Sequence, residues 1–192
     1  MSKRLFFALA FLVGCAASPD NIPLVWKPDR EHSTPPDAAP VDFFKAKVRV
    51  MPMTDSRENP KLIGENREGP MPKPATTRDE VAAFVTDHFK TLLTAAGLTV
   101  VDSGENAIIK GDVQRFFVTE TSKYSGEVRI AFVVTDPAGK TLWEGATGGT
   151  SVRAGFSYQA ENYYESLSDA LTIATNSLLR EPNFEAAIAS TR

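Results

Sequence analysis

Apolar residues recur at two spacings along the larger, carboxyl-terminal part of the chain. A spacing of two residues predicts half-buried strands, and spacings of three and four residues predict helices. The predicted order is β–α–β–β–β–β–α. The predicted strands are 45–53, 98–101, 107–121, 127–135 and 140–152, and the predicted helices are 77–97 and 161–181.

These elements predict an α+β domain over residues 42–192. We expect a single mixed or antiparallel sheet of about five strands, with two main helices packed on one face. Asp136-Pro137-Ala138-Gly139 is a turn sequence, so the last two strands are predicted to form a hairpin. About 150 residues are enough for one hydrophobic core.

The ends of the predicted helices carry recognisable signals. Thr77 with Glu80 has the spacing of a capping box, and Gly97 is placed to end the first helix as its C′ residue. Pro182 ends the second helix, because the residue before a proline is disfavoured in the helical region. Asn183 is then predicted to cap a last short turn.

Two segments lack either spacing. Residues 54–76 are polar and contain several prolines and glycines, which predicts a long loop of the kind that is often functional or mobile. The glycine-rich segment 145–150 has neither the lysine nor the strand-to-helix context of a phosphate-binding loop. We therefore predict a β-bulge or strand kink there.

The amino terminus has the organisation of an export signal. Lys3 and Arg4 precede nine uninterrupted apolar residues, 5–13. That run is far shorter than the roughly 20 residues of a membrane-spanning helix. It is typical of a signal peptide, so residues 1–14 are set apart from the fold.

Leu12-Val13-Gly14-Cys15 resembles the lipobox of bacterial lipoproteins. The resemblance implies cleavage before Cys15, a diacylglyceryl thioether on its sulfur, and acylation of the new amino terminus by a chain such as palmitate. Two or more acyl chains anchor a protein stably. The alternative is an ordinary secretory signal, but Cys15 is the only cysteine in the chain and has no disulfide partner.

Residues 15–41 are predicted to form the lipidated cysteine and a proline-rich tether. Six prolines exclude a helix or an interior strand, and an extended chain of this length reaches on the order of 80 Å at most. Leu24-Val25-Trp26 is an apolar island within it. Either it packs on the domain, or it is a docking motif.

Charge and the residue after the cysteine bear on location. The chain has 21 basic and 24 acidic residues, and loss of Lys3 and Arg4 leaves a net charge near −5. This argues against a nucleic-acid partner. Ala16 follows the cysteine, and in the sorting pattern of enteric-type lipoproteins that resemblance favours the outer membrane, with the domain facing the periplasm.

The sequence offers no catalytic or metal-binding constellation. His32 lies in the tether, and His88 lies in a helix without ligands at a suitable spacing, so no metal site or cofactor is predicted. Gly-x-Ser-x-Gly is absent. The carboxylate pairs Asp79/Glu80 and Glu161/Glu165 have the positions of first-turn residues that interact with the helix dipole. We therefore expect a non-enzymatic protein.

Residues 48–57, followed by Ile63-Gly64, resemble the opening of the YajG family of bacterial lipoproteins. In that family a strand leads into an Asp-x-Arg pair, here Asp55 and Arg57, and then into Ile-Gly. The order of elements agrees loosely over 45–188, although the proline-rich tether and the long loop depart from the pattern. The resemblance implies an α+β fold and an envelope location, and it implies no activity.

Two functions fit these expectations. The first is a membrane-anchored module that binds an envelope protein or component through Asp55 and Arg57, or through an aromatic cluster. Asp55 and Arg57 could instead pair locally, and the aromatic residues could instead pack in the core. The second is a lipid- or lipopolysaccharide-handling module with a basic patch of Lys45, Lys47 and Arg49 on the first strand. The aromatic cluster comprises Phe156, Tyr158, Tyr163 and Tyr164.

Overall fold

The structure is a computed structural model that describes residues 21–29, 46–156 and 158–191. Within these ranges it has one mixed sheet and three helices. The strands are β1 Lys47–Val50, β2 Thr54–Asp55, β3 Leu62–Asn66, β4 Lys73–Thr76, β5 Thr99–Val100, β6 Ala107–Glu120, β7 Tyr124–Thr135 and β8 Thr141–Arg153. The helices are α1 Val81–Ala95, α2 Ala160–Leu179 and α3 Pro182–Ala189.

Strand β6 is the centre of the sheet, because it pairs along both of its edges. One edge pairs antiparallel with β7, and β7 in turn pairs antiparallel with β8. Along the other edge β1, β2 and β3 follow one another, all parallel to β6. β5 extends the sheet beside β1, and β4 extends it beside β3. The predicted α+β class and the antiparallel order of the three long strands are confirmed.

The prediction of about five strands is wrong, because segment 54–76 forms three short strands rather than a long loop. β2 has two residues, and β3 and β4 contain Gly64 and Pro74, so no period of two is visible in the sequence. Pro74 is tolerated because β4 is an edge strand. Pairing with β6 and with each other, rather than their own pattern, makes these segments strands.

The helices lie on one face of the sheet, as the one-sided burial of the long strands shows. Every second residue is buried from 107 to 113 in β6, and again from 116 to 120 after a register shift. The same holds from Tyr124 to Val134 in β7. The alternate residues of both strands are more exposed. The sheet is therefore covered on one side only within the described chain.

Two predicted helix ends are confirmed, and one feature is added. Gly97 follows α1 with φ of 93°, a conformation that glycine adopts without strain. Pro182 follows α2, but it begins a third helix rather than a single turn. The prediction that Asn183 caps this segment is wrong, because Glu181 is the N-cap residue and its side chain accepts a hydrogen bond from the amide of Asn183.

The predicted capping box at the start of α1 is wrong. Thr77 Oγ1 accepts a hydrogen bond from the amide of Asp79 at 3.1 Å, in a turn that precedes the helix. Glu80 is the N-cap residue and makes no capping hydrogen bond with its side chain. Its carboxylate instead accepts from Lys61 Nζ at 2.7 Å. The helix begins at Val81, so Asp79 and Glu80 precede its first turn.

Glycines allow α2 to lie very close to β7 and β8. A Cβ atom added to Gly149 would lie 2.1 Å from the carbonyl oxygen of Ala170, and one added to Gly126 would lie 2.6 Å from that of Ser166. Segment 145–150 pairs with β7 without interruption, so the predicted bulge or kink is wrong. The glycines provide room for a helix.

Residues 21–29, which we call the strap, pack on the helical side of the domain, although they fall within the predicted tether. Ile22 is buried, and its amide donates to the carbonyl of Thr76 at 2.7 Å. Leu24 and Trp26 pack against the core. For this apolar island the packing alternative is confirmed. The rest of the predicted tether lies outside the described residues.

Replacing Trp26 with alanine is expected to loosen the strap. The Trp26 ring stacks on His88, with centroids 4.4 Å apart, and meets Phe84 edge-on at 6.2 Å. Loss of this half-buried ring should lower the free energy of unfolding by about 2 kcal/mol, less than for a fully buried tryptophan. Amide hydrogen exchange over 21–29 should accelerate. Val25→Ala is the matched control, because Val25 is exposed; equal acceleration in both variants would contradict the packing role of Trp26.

Candidate functional site

Asp55 and Arg57 form a buried ion pair at the exit of β2. Nε and Nη2 of Arg57 donate to the two carboxylate oxygens of Asp55 at 2.8 and 2.6 Å. Nη1 donates to the carbonyls of Leu62 and Phe116, and Nη2 also donates to the carbonyl of Pro60. A guanidinium group has five N–H donors. Every donor of Arg57 therefore has a partner within the protein.

This pair fixes the chain between β2 and β3. The Arg57 and Asp55 side chains are only 8% and 11% exposed. A shallow cavity of about 230 Å³ lies beside Arg57 and is also lined by Arg115 and Phe117. Arg57 has no N–H donor left for a ligand in that cavity. The local-pairing alternative is confirmed, while partner binding by Arg57 stays a prediction.

Glu120, at the end of β6, is a fully buried carboxylate. It accepts hydrogen bonds from the hydroxyls of Tyr163 and Tyr124 at 2.6 and 2.8 Å, and from the amide of Tyr158 at 2.7 Å. Three donors compensate for the hydration that the carboxylate loses. Tyr163 is itself fully buried and has no surface with which to contact a partner. Of the two alternatives for Tyr163, the structure therefore shows packing in the core.

We expect the tyrosines around Glu120 to resist ionisation. Burial is the main cause of the raised pKa of Tyr124, which is about 12. Burial, together with the hydrogen bond to Glu120, also raises the pKa of Tyr163. An unfolded tyrosine ionises near pH 10, so the unfolded state loses protons first. The stabilisation is therefore present below about pH 10 and is lost between about pH 10 and 12 for Tyr124.

The ultraviolet absorbance of tyrosinate, followed during an alkaline titration, measures the pH at which the tyrosines ionise. Tyr124→Phe should remove the component with a midpoint near pH 12. The result that contradicts the expectation is ionisation of all four tyrosines near pH 10 while circular dichroism still shows a folded protein.

A cluster of charges joins the strap to α2. Nη2 and Nη1 of Arg153, at the end of β8, lie 2.6 and 3.2 Å from the carboxylates of Glu165 and Asp169. Nη2 also lies 3.6 Å from the carboxylate of Asp29 in the strap, and the amide of Asp29 donates to Asp169 at 2.7 Å. Asp169 has no exposed side-chain surface. The cluster therefore connects three separate segments of the chain.

Lys27 adds a second link between the strap and α2. Its Nζ pairs with Glu161 and, at 2.8 Å, with Glu165. These hydrogen bonds raise the pKa of Lys27, and Lys27 holds the pKa of Glu161 below its usual value. Glu161 lies in the first turn of α2, as predicted, and Glu165 lies one turn later. Both carboxylates hold the strap rather than form an acid/base pair.

Large apolar side chains are exposed at the end of the sheet where the β3–β4 and β6–β7 hairpins turn. Phe156 is 86% exposed, Met71 75% and Val152 52%. Tyr158 has φ of 63° and lies at the same end, with its ring 5.1 Å from Lys73 Nζ. We call this surface the hairpin end. It consists of Arg67, Met71, Lys73, Lys123, Val152 and Phe156.

A second surface feature is an apolar groove of about 400 Å³ on the side of the sheet away from the helices. Lys110 stands at this groove. Of the predicted basic patch on β1, Lys47 is exposed and Arg49 pairs with Glu105 at 3.4 Å, while Lys45 lies outside the described residues. The other lining residues include Met51, Pro52, Gly111, Ala131 and Val133.

His88 is half-buried beneath Trp26, and its burial lowers the pKa of its imidazole. In the part of the chain that the structure describes, no three His, Cys, Asp or Glu side chains are placed to hold a metal ion. None of the described helices is long and apolar enough to cross a membrane. His32 and Cys15 lie outside the described residues.

Sequence reasoning misses Glu120 and Arg153, although a signal for both exists. Glu120 continues the alternate buried positions of β6 after Val118, and Arg153 continues those of β8 after Ser151. A charged residue in the buried register of a strand predicts a buried polar network, because an unpaired buried charge is very unfavourable. Both residues are at strand ends, where they resemble ordinary turn residues.

No family model matches the chain, and no curated protein matches it in sequence. Among solved structures, protein XCC0632 from Xanthomonas campestris, of the family model DUF330, matches with a TM-score of 0.58 and 14% identity, covering 83% of this chain and 95% of that one. An uncharacterized protein matches with a TM-score of 0.50 and 8% identity, and the match covers 79% of this chain and 96% of that one.

Bacterial lipoproteins are also among the structural matches. GNA1162 from Neisseria meningitidis matches with a TM-score of 0.37 and 12% identity, and the match covers 60% of this chain and 90% of that one. At these identities the comparisons concern the fold alone. The chain shares its α+β fold with the DUF330 protein of Xanthomonas campestris.

Proposed function

We propose that the chain is an outer-membrane lipoprotein, cleaved before Cys15 and acylated there, whose periplasmic domain binds a protein or another envelope component. The lipobox sequence Leu12-Val13-Gly14-Cys15 is the observation that supports this most. Only residues 16–20 separate Cys15 from a segment that packs into the domain. An amino-terminal anchor would therefore be coupled directly to the fold. Membership of the YajG family belongs to the same proposal.

The buried charged groups support a binding module rather than an enzyme. The network around Arg57 fixes a turn, that around Glu120 fixes the end of β6, and that around Arg153 fixes the strap. Each of them joins segments of the chain to one another. Catalytic acids and bases, in contrast, must reach a substrate proton.

Intact-mass analysis of the protein purified from its native membrane tests the anchor. We expect a chain that begins at Cys15 and carries acyl mass, recovered in the outer-membrane fraction after density separation. Cys15→Ser is the matched control and should be recovered without acyl mass and outside that fraction. A mature chain that begins at Cys15 without acyl chains would refute the proposal.

A second function, lipid or lipopolysaccharide handling, is favoured by the apolar groove beside Lys110. Native mass spectrometry of the purified protein distinguishes the two. A copurified lipid that is lost in Val133→Gln, which places a polar group in the groove, supports lipid handling. Crosslinking in intact cells to a protein, with no copurified lipid, supports the binding module.

A further inference from the structure

The structure points to the side of the domain that faces the membrane. We propose that the hairpin end lies on the surface of the bilayer that holds the acylated Cys15, with Phe156 and Met71 entering the interface. This inference rests on the proposed lipid anchor. The occupant of the exposed apolar surface is thus the lipid bilayer itself.

The first argument is the length of chain available between the lipid and the domain. Asn21 is fixed at the end of β4, where its amide donates to Thr76 Oγ1. Six residue steps from Cys15 to Asn21 span at most about 22 Å, even fully extended. A tether that ran freely to residue 41 would reach far further. The domain must therefore stay close to the membrane surface.

The second argument is that this length matches the position of the hairpin end. Met71 lies five residues before Thr76, where Asn21 is fixed, which corresponds to about 17 Å along an extended chain. An anchor on a chain of up to about 22 Å can therefore reach the plane of Met71. The tether length therefore permits this contact, and the exposed apolar side chains are what select this end of the sheet.

The third argument is where the exposed apolar side chains lie. Four large apolar side chains of the described residues are exposed, and Val25 in the strap is one of them. The other three belong to the hairpin end: Val152 pairs with Ser125 at the start of β7, and Phe156 and Met71 lie within two residues of the Tyr158–Lys73 contact. Clustering at one end is typical of an interaction surface.

The charges at this end fit an interface with lipid headgroups. Lys73 and Lys123 are exposed, and long cationic side chains extend from apolar surfaces toward water or phosphate. Arg67 pairs with Glu65, and Glu68 lies in the same hairpin, so the net positive charge is small. Burial of Phe156 and Met71, rather than attraction to anionic lipid, is expected to supply most of the favourable free energy of membrane contact.

Labelling with an environment-sensitive fluorophore at single cysteines tests the orientation. The acylated Cys15 leaves no free thiol, so Phe156→Cys and Met71→Cys each give one labelling site. Ala138→Cys is the matched control. It is exposed in the β7–β8 turn, at the other end of a 12-residue strand about 35 Å long. Each protein is purified with its acyl chains and reconstituted in vesicles of phosphatidylethanolamine and phosphatidylglycerol.

We expect lipids with a quencher on the acyl chain to reduce the fluorescence at positions 71 and 156 by about twofold, as for side chains buried at the acyl boundary. The label at position 138 should be unaffected. Equal quenching at all three positions, or none at 71 and 156, would overturn the proposal. A blue shift at 71 and 156 that depends on protein concentration without lipid would assign the surface to a second copy of the chain and also overturn it.

The lipid anchor and the orientation can fail separately. Intact mass of each labelled sample establishes whether acyl chains are present before quenching is measured. Absence of acyl mass refutes the proposed function. Acyl mass together with unquenched labels at 71 and 156 refutes only the membrane contact.

Discussion

Gly149→Ala is expected to lower the free energy of unfolding by about 3 kcal/mol or more, at the upper end of the range for overpacking. The added Cβ would lie 2.1 Å from the carbonyl oxygen of Ala170 and 2.5 Å from the amide nitrogen of Ala174. Both are main-chain atoms of α2, so no side-chain rotation can remove the overlap. The helix has to move away from β8, and the packing between them is lost with it.

Chemical denaturation with a two-state fit measures the effect, and the melting temperature should fall by about 10 °C, since 1 kcal/mol corresponds to roughly 2–4 °C in a domain of this size. Gly69→Ala is the matched control, because the nearest atom to its added Cβ is 3.9 Å away. Its stability should change by no more than about 0.5 kcal/mol. If Gly149→Ala were as stable as this control, α2 would not lie as close to β8 as described.

Arg153→Ala should be the second most damaging change. It leaves the buried carboxylate of Asp169 without its cation and weakens the pairing of Glu165. Removing one partner of a buried ion pair costs about 3–5 kcal/mol. We expect about 3 kcal/mol, because Lys27 still pairs with Glu165 and the amide of Asp29 still donates to Asp169. Hydrogen exchange in the strap should increase as well.

Arg115→Ala is the matched control for this variant. Arg115 also pairs with a carboxylate, that of Glu127 at 2.9 Å, but both side chains are roughly half exposed. Exposed pairs contribute about 0–1 kcal/mol. A double-mutant cycle of Arg153→Ala with Asp169→Ala should give a coupling energy above about 1 kcal/mol. A coupling energy near zero would show that the two side chains do not interact.

The sequence predicts the long elements well, because each of them has one buried face. The helix before Gly97 and the strand containing Val128, Ile130 and Phe132 show a full period of apolar residues, and the structure confirms both. The short strands β2 to β4 have no such period. β2 and β3 exist because β6 is long enough to pair with several segments in succession, and β4 exists because it pairs with β3. Local sequence shows neither of these tertiary effects.

The candidate site is predicted less well, for a related reason. The Asp55–Arg57 pairing is local and is predicted correctly from two neighbouring residues. Burial of Glu120 and Arg153 depends on partners about 40 and 16 residues away in α2, which the sequence does not identify. For the strap, the sequence offers packing of Leu24-Val25-Trp26 as one alternative. Its bonds to Ser168 and Asp169 are hidden, because its prolines indicate only that it forms no regular element.

The strap also constrains the order in which the domain folds. Its amides bond to Ser168 and Asp169, some 140 residues later in the chain. Those contacts cannot form until α2 has been synthesised and has packed on the sheet. The strap therefore cannot reach its final position before the rest of the domain, so its closure is a late step in folding.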